Sequence, residues 1–561
     1  MKLELAPFAK TSALALAAVC LVACPAKPVP TTPAGGSGAA SPRGDTLSPA
    51  AIKRHLDYLA SDKLGGRAVG SPGIALAARY HETIFRAAGL APLFRDAAGK
   101  PSYRQPFALR GSRPDPGAKL SFKVHEGSAR EQRFELRRLD DFTLGGYRED
   151  CGALERAELL YAGYLITSKA HDWDDLKGAD VRGKVLLVEV NEPGNEPGGI
   201  FEGEAMTYFG RWTYKFERAN ALGAKGVLII HERKGASYGW DVVRNSWSKE
   251  SFFLPGEAQR SCFHGWITRD VAVKLLSAAG HDRDALFRRA GRKDFKPIAL
   301  PVAVEARQQP TFRTVTAENV AGVIRAGKPA TPHRTVVLSA HFDHLGRDAS
   351  RQGDQIFNGA VDNSAASAVM LALAQHLAQR RAQLASDVIV LGATAEEVGL
   401  LGSRYFASHP PVARETLWAN VNLELTNVWG PTRDVFAIGA SQSDLDGVCR
   451  AAAKQAGLDY VAERGREHGF FYRSDQLSFA RVGVPGVWLH EGPTSKDPKV
   501  DIAARRQHFR KSVYHTVGDE VKADFDLRGA QQIARWAAAI IDVLGRASAR
   551  PRFKEGSAFR R

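Results

Sequence analysis

A chain of 561 residues exceeds one ordinary hydrophobic core, and at roughly 150 residues per domain it implies two to four compact units. Its 44% hydrophobic content matches that of folded globular proteins and excludes a wholly disordered chain. The net charge of +16 invites a nucleic-acid reading, but the basic residues are spread along the chain, and no helix-turn-helix, RNA-binding or zinc-finger signature accompanies them. No nucleic-acid partner is expected.

At the start, Lys2 and Lys10 precede the apolar segment Thr11 to Ala23, too short for a bilayer-spanning helix but suited to a secretory signal over residues 1–23. It ends in Leu21-Val22-Ala23-Cys24, which resembles the lipobox of bacterial lipoproteins and implies cleavage before Cys24 and lipidation there. Residues 24–46, rich in Pro, Gly, Ser, Ala and Thr, read as a flexible tether. The expected location is the bacterial cell envelope, in the periplasm or at the outer membrane, with the membrane reached through the lipid anchor. On a tethered protein the basic surface suits adhesion to anionic headgroups, or no partner at all. Of the five cysteines, Cys151, Cys262 and Cys449 remain in the mature chain. Export permits a Cys151–Cys262 disulfide, though sequence does not show that the two approach.

After the tether, Leu47 to Ala60 reads as a capped amphipathic helix, with Ser48 before Pro49 and Ile52, Leu56 and Leu59 at helical spacing. A Gly-rich turn, Gly65 to Pro72, leads to a second helix, Gly73 to Ala88. Residues 47–150 are assigned to the first part of an α/β domain and residues 151–290 to a β-rich insert, marked by short runs such as Lys184-Val-Leu-Leu-Val-Glu-Val and Gly226-Val-Leu-Ile-Ile. From Glu318 the alternation of strands and helices resumes, and residues 291–548 form the second part of the α/β domain. Residues 549–561, with Arg550, Arg552, Lys554, Arg560 and Arg561, read as a basic tail.

This second part contains the chemistry. His341 closes the run Thr335-Val-Val-Leu-Ser-Ala. Asp362 sits in the loop Asn358-Gly-Ala-Val-Asp-Asn, Glu397 follows the strand Asp387-Val-Ile-Val-Leu-Gly-Ala, Glu424 ends Val421-Asn-Leu, and His515 stands in Tyr514-His-Thr-Val-Gly-Asp519. Ligands at or just beyond strand ends of an open α/β sheet converge although they are distant in sequence. Zinc takes His nitrogen and carboxylate oxygen, and two zinc ions sharing one carboxylate need about five protein side chains. His341 and His515 are the outer ligands, Asp362 the natural bridge, and Glu397 and Glu424 complete the two spheres. Glu396 is the candidate general base, because neighbouring side chains must diverge and one can reach metal-bound water. Asp343 is placed to accept the other imidazole N–H of His341, and Asp519 that of His515.

His341-Phe-Asp343-His-Leu-Gly, Gly359-Ala-Val-Asp362-Asn-Ser-Ala-Ala, Thr394-Ala-Glu396-Glu397-Val-Gly-Leu-Leu-Gly-Ser and Tyr514-His515-Thr-Val-Gly-Asp519 resemble the motifs of the co-catalytic di-zinc exopeptidases. That family holds secreted aminopeptidases, glutamate carboxypeptidase and, as relatives, glutaminyl cyclases. The resemblance implies a zinc-exopeptidase fold, a mixed central sheet flanked by helices. It also implies two zinc ions per chain, peptide substrates, and the roles given above for His341, Asp362, Glu397, Glu424, His515 and Glu396. Many members carry Asp where this chain has Glu424, whose extra methylene moves the carboxylate outward. The segment Phe470-Phe-Tyr472-Arg-Ser474-Asp475 resembles the family's substrate pocket and implies Tyr472 as an oxyanion donor. Arg182-Gly-Lys-Val-Leu-Leu-Val and Ala224-Lys-Gly-Val-Leu-Ile-Ile look like a protease-associated domain. The expected activity is that of an aminopeptidase. The alternatives are a carboxypeptidase of the same fold, for which Arg473 is the nearby cationic clamp, a single-zinc glutaminyl cyclase, and a non-catalytic binding protein.

Overall fold

The computed structural model describes residues 45–256 and 261–560. The signal segment, Cys24 and all but the end of the tether lie outside the described residues, while Asp45–Arg561 forms one compact unit. Among the described residues no helix is long and apolar enough to cross a membrane.

Two sheets organise this unit. The larger has ten strands and runs, edge to edge, Ser251–Phe253, Arg104–Arg113, Thr311–Ile324, Asp387–Ala393, Thr335–His341, Leu417–Asn422, Gly486–Glu491, Asp434–Ile438, Asp459–Tyr460, with Ala91–Pro92 paired beside Thr311–Ile324. Its centre is parallel: Thr335–His341 pairs in parallel with both Asp387–Ala393 and Leu417–Asn422, which in turn pairs in parallel with Gly486–Glu491. All four of these strands are buried along their whole length, as expected of parallel strands covered on both faces. The sheet is nevertheless mixed, because Thr311–Ile324 and Asp434–Ile438 pair antiparallel to it.

Helices cover the sheet as the apolar spacing predicts. The first, Pro49–Leu59, starts where Ser48 accepts a hydrogen bond from the Ala51 N–H, and it buries Ile52, Leu56 and Leu59. Such a cap contributes about 1 kcal/mol. The second, Pro72–Ala87, is capped in the same way by Ser71. Ala365–Gln379, buried for most of its circumference, is the central core helix. It packs in one cluster with residues of Pro49–Leu59 and Arg528–Arg546.

The smaller sheet has eight strands in the order Gln132–Glu135, Lys119–Val124, Ile298–Arg307, Ala153–Tyr161, Val185–Glu189, Gly226–His231, Phe263–Thr268, Phe142–Gly146. The expected limits of the insert, 151–290, do not follow this sheet, which also takes strands from 119–146 and 298–307. Leu120, Phe122, Val124, Phe142 and Leu144 belong to its hydrophobic cluster. A short alternating strand shows in sequence that one face is buried, but not under which sheet. Cys151 and Cys262 are joined within this sheet's core, with 5.2 Å between Cα atoms, and Cys449 is free and buried. The C-terminal segment also departs from the reading of a basic tail. Phe553 bridges to Ser443, and Phe559 is buried against Tyr208 and Phe471, so its two aromatic residues outweigh its charges.

Candidate metal centre

The parallel strands deliver the acidic and imidazole residues to one place. His341 is the last residue of its strand. Glu396 and Glu397 follow the strand ending at Ala393, and Glu424 lies two residues past Asn422. Asp362 sits in the irregular turn before the helix Ala365–Gln379, next to the cis peptide Asp362–Asn363. His515 arrives from the loop after the helix Ile502–His508 rather than from a strand. Three non-glycine residues at positive φ mark these approaches: Ala395 before Glu396, Leu425 after Glu424, and His515 itself. Strain of this kind costs energy and clusters at functional sites.

His341 Nε2 lies 3.2 Å from Glu424 Oε2, 3.5 Å from Asp362 Oδ1 and 3.9 Å from Glu396 Oε2. His515 Nε2 lies 3.1 Å from both Asp362 Oδ2 and Glu397 Oε2. Asp362 therefore faces both imidazoles, one with each oxygen. Burial works against charge on His341, yet Glu424 and Glu396 hold it well above the ordinary histidine range. His515, opposed by burial but facing Glu397 and Asp362, is held up to about 10. Burial raises Asp362, and the two imidazoles override it to hold the carboxyl well below its usual range. Glu396 goes the other way: burial, with Glu424, Glu397 and Asp475 around it, pushes it well above a normal carboxyl despite His341.

These donors suit a cation better than they suit one another. His515 Nε2 and Asp362 Oδ2 are buried and make no hydrogen bond, although only 3.1 Å separates them. Atoms that close with no aligned hydrogen bond between them are placed about a common point that a cation, displacing the imidazole proton, can occupy. Three sets of side chains bring their ligand atoms within 4.8 Å of one another: His341 with Asp362 and Glu424, His341 with Glu396 and Glu397, and His344 with Asp362 and Glu397. Glu424 reaches the site despite its extra methylene, with Oε2 accepting a hydrogen bond from Ser474 Oγ at 2.8 Å.

The supporting residues differ from expectation in three places. Asp343 lies 3.6 Å from His341 Nδ1, beyond a hydrogen bond, and its oxygens accept the backbone N–H groups of Glu396 and Glu397 at 3.2 and 3.3 Å. Asp519 does not hold His515. Its carboxylate accepts the N–H groups of Val361 and Asp362 at 2.9 and 3.0 Å, so it fixes the loop that carries the central carboxylate. Tyr472 points away from the cluster: its hydroxyl lies 3.4 Å from Gln442 Nε2, and its ring packs on Tyr208 and Phe559. The turn Phe470–Arg473 directs this ring toward the smaller sheet's lobe.

Three residues were missed. His344 is fully buried and its Nδ1 lies 2.6 Å from Glu397 Oε1; its place three residues after His341 was the available signal. Tyr514, 39% exposed as a residue, stacks on His515 with ring centroids 3.8 Å apart, and desolvation of its hydroxyl together with Asp362, Glu397, Glu396 and Glu424 raises that group above the ordinary tyrosine range. Arg67, from the Gly-rich turn, is buried behind the cluster. It donates to the carbonyls of Leu59, Phe342, Asn358 and Gly359, tying the loops after His341 and before Asp362 to the N-terminal helices. Nothing in the local sequence marks a contact across nearly three hundred residues.

A mixed α/β sheet that gathers two histidines and several carboxylates beyond its central parallel strands defines a metal-dependent hydrolase. Residues 319–541 match the model of Peptidase family M28, and this part of the chain is similar to that family of peptidases. The aminopeptidase from Aneurinibacillus sp. strain AM-1 is similar at 19% identity and TM-score 0.50, over 91% of this chain and 95% of that one. A zinc aminopeptidase from Bacillus subtilis is similar at 18% identity and TM-score 0.42, over 91% and 100%. A peptidase M28 precursor from Shewanella amazonensis is similar at 16% identity and TM-score 0.38, over 90% and 99%. Of these three, the first supports a shared fold. No curated protein matches the chain.

Proposed function

We propose that this protein is a zinc-dependent aminopeptidase that holds two ions per chain and uses Glu396 as its general base. The observation that carries this reading is Asp362, whose two oxygens face two separate imidazoles within a cluster of carboxylates. His341 and Glu424 are assigned to one ion, His515 and Glu397 to the other, and Asp362 to both. When bound, zinc lowers the pKa of a coordinated water toward 7 and polarises a carbonyl. Glu396 is nearly buried, at 11% side-chain exposure, and its raised affinity for protons suits it to take one from water and pass it to the leaving amine. His344 orients Glu397, Asp343 fixes the backbone of the Glu pair, and Tyr514, stacked on His515, is assigned the role of hydrogen-bond donor to a developing oxyanion. An acidic neighbourhood favours a substrate's free amino group. The Aneurinibacillus protein bears the name aminopeptidase, which points the same way.

The second sheet's lobe, read as a protease-associated domain, meets the larger sheet's lobe through the Glu202–Arg466 ion pair and the packing of Tyr208 on Tyr472. Lipidation at Cys24 is proposed to hold the protein at the cell envelope, and the mass of the mature N-terminus tests it.

The decisive experiment uses the full chain loaded with zinc, assayed on one peptide blocked at either end. Hydrolysis is expected with a C-terminal amide and not with an N-acetyl group; the reverse result makes the protein a carboxypeptidase. Elemental analysis is expected to give about two zinc ions per chain. Glu396→Ala is expected to keep both ions and lose about 10²–10⁴ in kcat; near-normal turnover would remove Glu396 from its role.

A further inference from the structure

Beside the shared Asp362, a second link joins the two halves of the metal centre. A carbonyl buried beyond the end of a strand needs a donor from elsewhere in the chain. Glu424 and Leu425, both buried just past the strand Leu417–Asn422, each have one. The carbonyl of Glu424 accepts the indole N–H of Trp488 at 2.7 Å, and that of Leu425 accepts Arg506 Nη1 at 2.8 Å. Leu425 has positive φ, a conformation that a side chain of this kind keeps only where its surroundings impose it.

Arg506 comes from the other half. It lies in the helix Ile502–His508, and from there the chain runs through the turn Phe509–Val513 into Tyr514 and His515. The guanidinium is buried with Glu491, whose Oε1 accepts Arg506 Nε at 2.9 Å and also bonds Nη2. Burial raises Glu491, and Arg506 with His490 overrides it to hold the carboxyl below its ordinary range. The guanidinium also lies over the Trp429 ring, 4.7 Å from its centroid. Phe509 packs against Trp429 and against Tyr514, with centroids 6.0 Å apart in each case, and Tyr514 stacks on His515. Contacts therefore run without a break from the backbone beside Glu424 to the outer imidazole. Pairing with Glu491 uses Nε and Nη2 of the planar fork, and Nη1 is left for Leu425. Neutralising Glu491 does not require that third bond.

We infer that Arg506 is a positioning residue for the metal centre: it ties the arm carrying His515 to the loop carrying Glu424 and so fixes the separation of the two halves. The inference deepens the two-ion reading above and rests on it.

The test uses the full chain with Arg506→Met and with the double substitution Arg506→Met/Glu491→Leu. The single variant leaves a buried carboxylate unpaired and is expected to lose Tm, whereas the double variant, with an apolar pair in place of the ions, is expected to regain it. Zinc affinity, read by competition with a chelator, is expected to stay about 10–100-fold weaker than wild type in both variants. Recovery of affinity together with Tm in the double variant would reduce Arg506 to a counter-ion of Glu491 and overturn the inference. Hydrogen exchange of the metal-free proteins gives a second readout. In the double variant, peptides covering 423–427 and 509–516 are expected to exchange faster together, with the helix Ala365–Gln379 unchanged; loosening of one segment alone, or of neither, would overturn the link. If the wild-type chain takes up no zinc, the two-ion reading fails separately, and the paired exchange of the two segments decides the link by itself.

Discussion

His341 and Glu424 lie at the floor of the cluster, with side chains 0% and 7% exposed, on or just beyond adjacent parallel strands. His515 lies at its mouth, 36% exposed, on a loop whose backbone is strained at the histidine. The inner half is therefore fixed by the fold and the outer half by loops and by neighbours such as His344. The two ions proposed for these halves should differ in how easily they leave, although the donor chemistry is nearly the same. Asp362 couples them, so the difference shows best where one half changes and the other does not.

The largest separation is expected between His341→Ala and His515→Ala. Removing His341 leaves Glu424 and Asp362 buried without their imidazole, at a cost of about 3–5 kcal/mol in the metal-free protein, and zinc is lost from both halves. Removing His515 should lower zinc to about one ion per chain with little change in Tm. Equal losses of stability would erase the distinction. Next comes Asp519→Asn, which weakens the grip on the Val361 and Asp362 N–H groups and is expected to lower zinc affinity about 10–100-fold in both halves. An effect on one half alone would show that Asp362 is not shared.

The pH response of the metal-free protein follows. Folding raises His515 from 6.5 to about 10, and His341 moves in the same direction. The folded state thus holds more protons between these limits. The stabilisation is complete below about pH 6.5 and is lost as pH rises toward 10. Thermal melts of chelated protein should show Tm falling across that window, and His515→Ala should flatten the fall. The smallest effect is expected of Ser474→Ala, which removes one hydrogen bond from Glu424. At about 0.5–1.5 kcal/mol the inner zinc should bind roughly two- to tenfold more weakly, read by competition with a chelator.

How legible each part was in sequence follows from the range of the contacts involved. His341, Asp362, Glu397, Glu424 and His515 sit in short motifs with fixed relations to strands and loops, and the parallel sheet then brings them together. The helices 49–59 and 72–87 announced themselves through Ser-Pro starts and apolar spacing. Arg67 and the clamp made by Asp519 gave no local sign, because each acts on backbone atoms far away in the chain. Tyr472 was misplaced because an aromatic residue beside Ser474 looks alike whether the turn sends it toward the metals or toward the other lobe. The edges of the second sheet were misplaced because period-two alternation does not name the sheet a strand joins.

Arg67 has a consequence for how the protein matures. The loops after His341 and before Asp362 are held by a residue made some 275 to 292 positions earlier, with most of the second lobe in between. Contacts of such long sequence range form late in folding, so the cradle is expected to be complete only once the domain has folded. Zinc uptake is then expected to report a finished fold. In preparative work, metal supplied during refolding should be wasted on partly folded chains, and metal supplied afterwards should not.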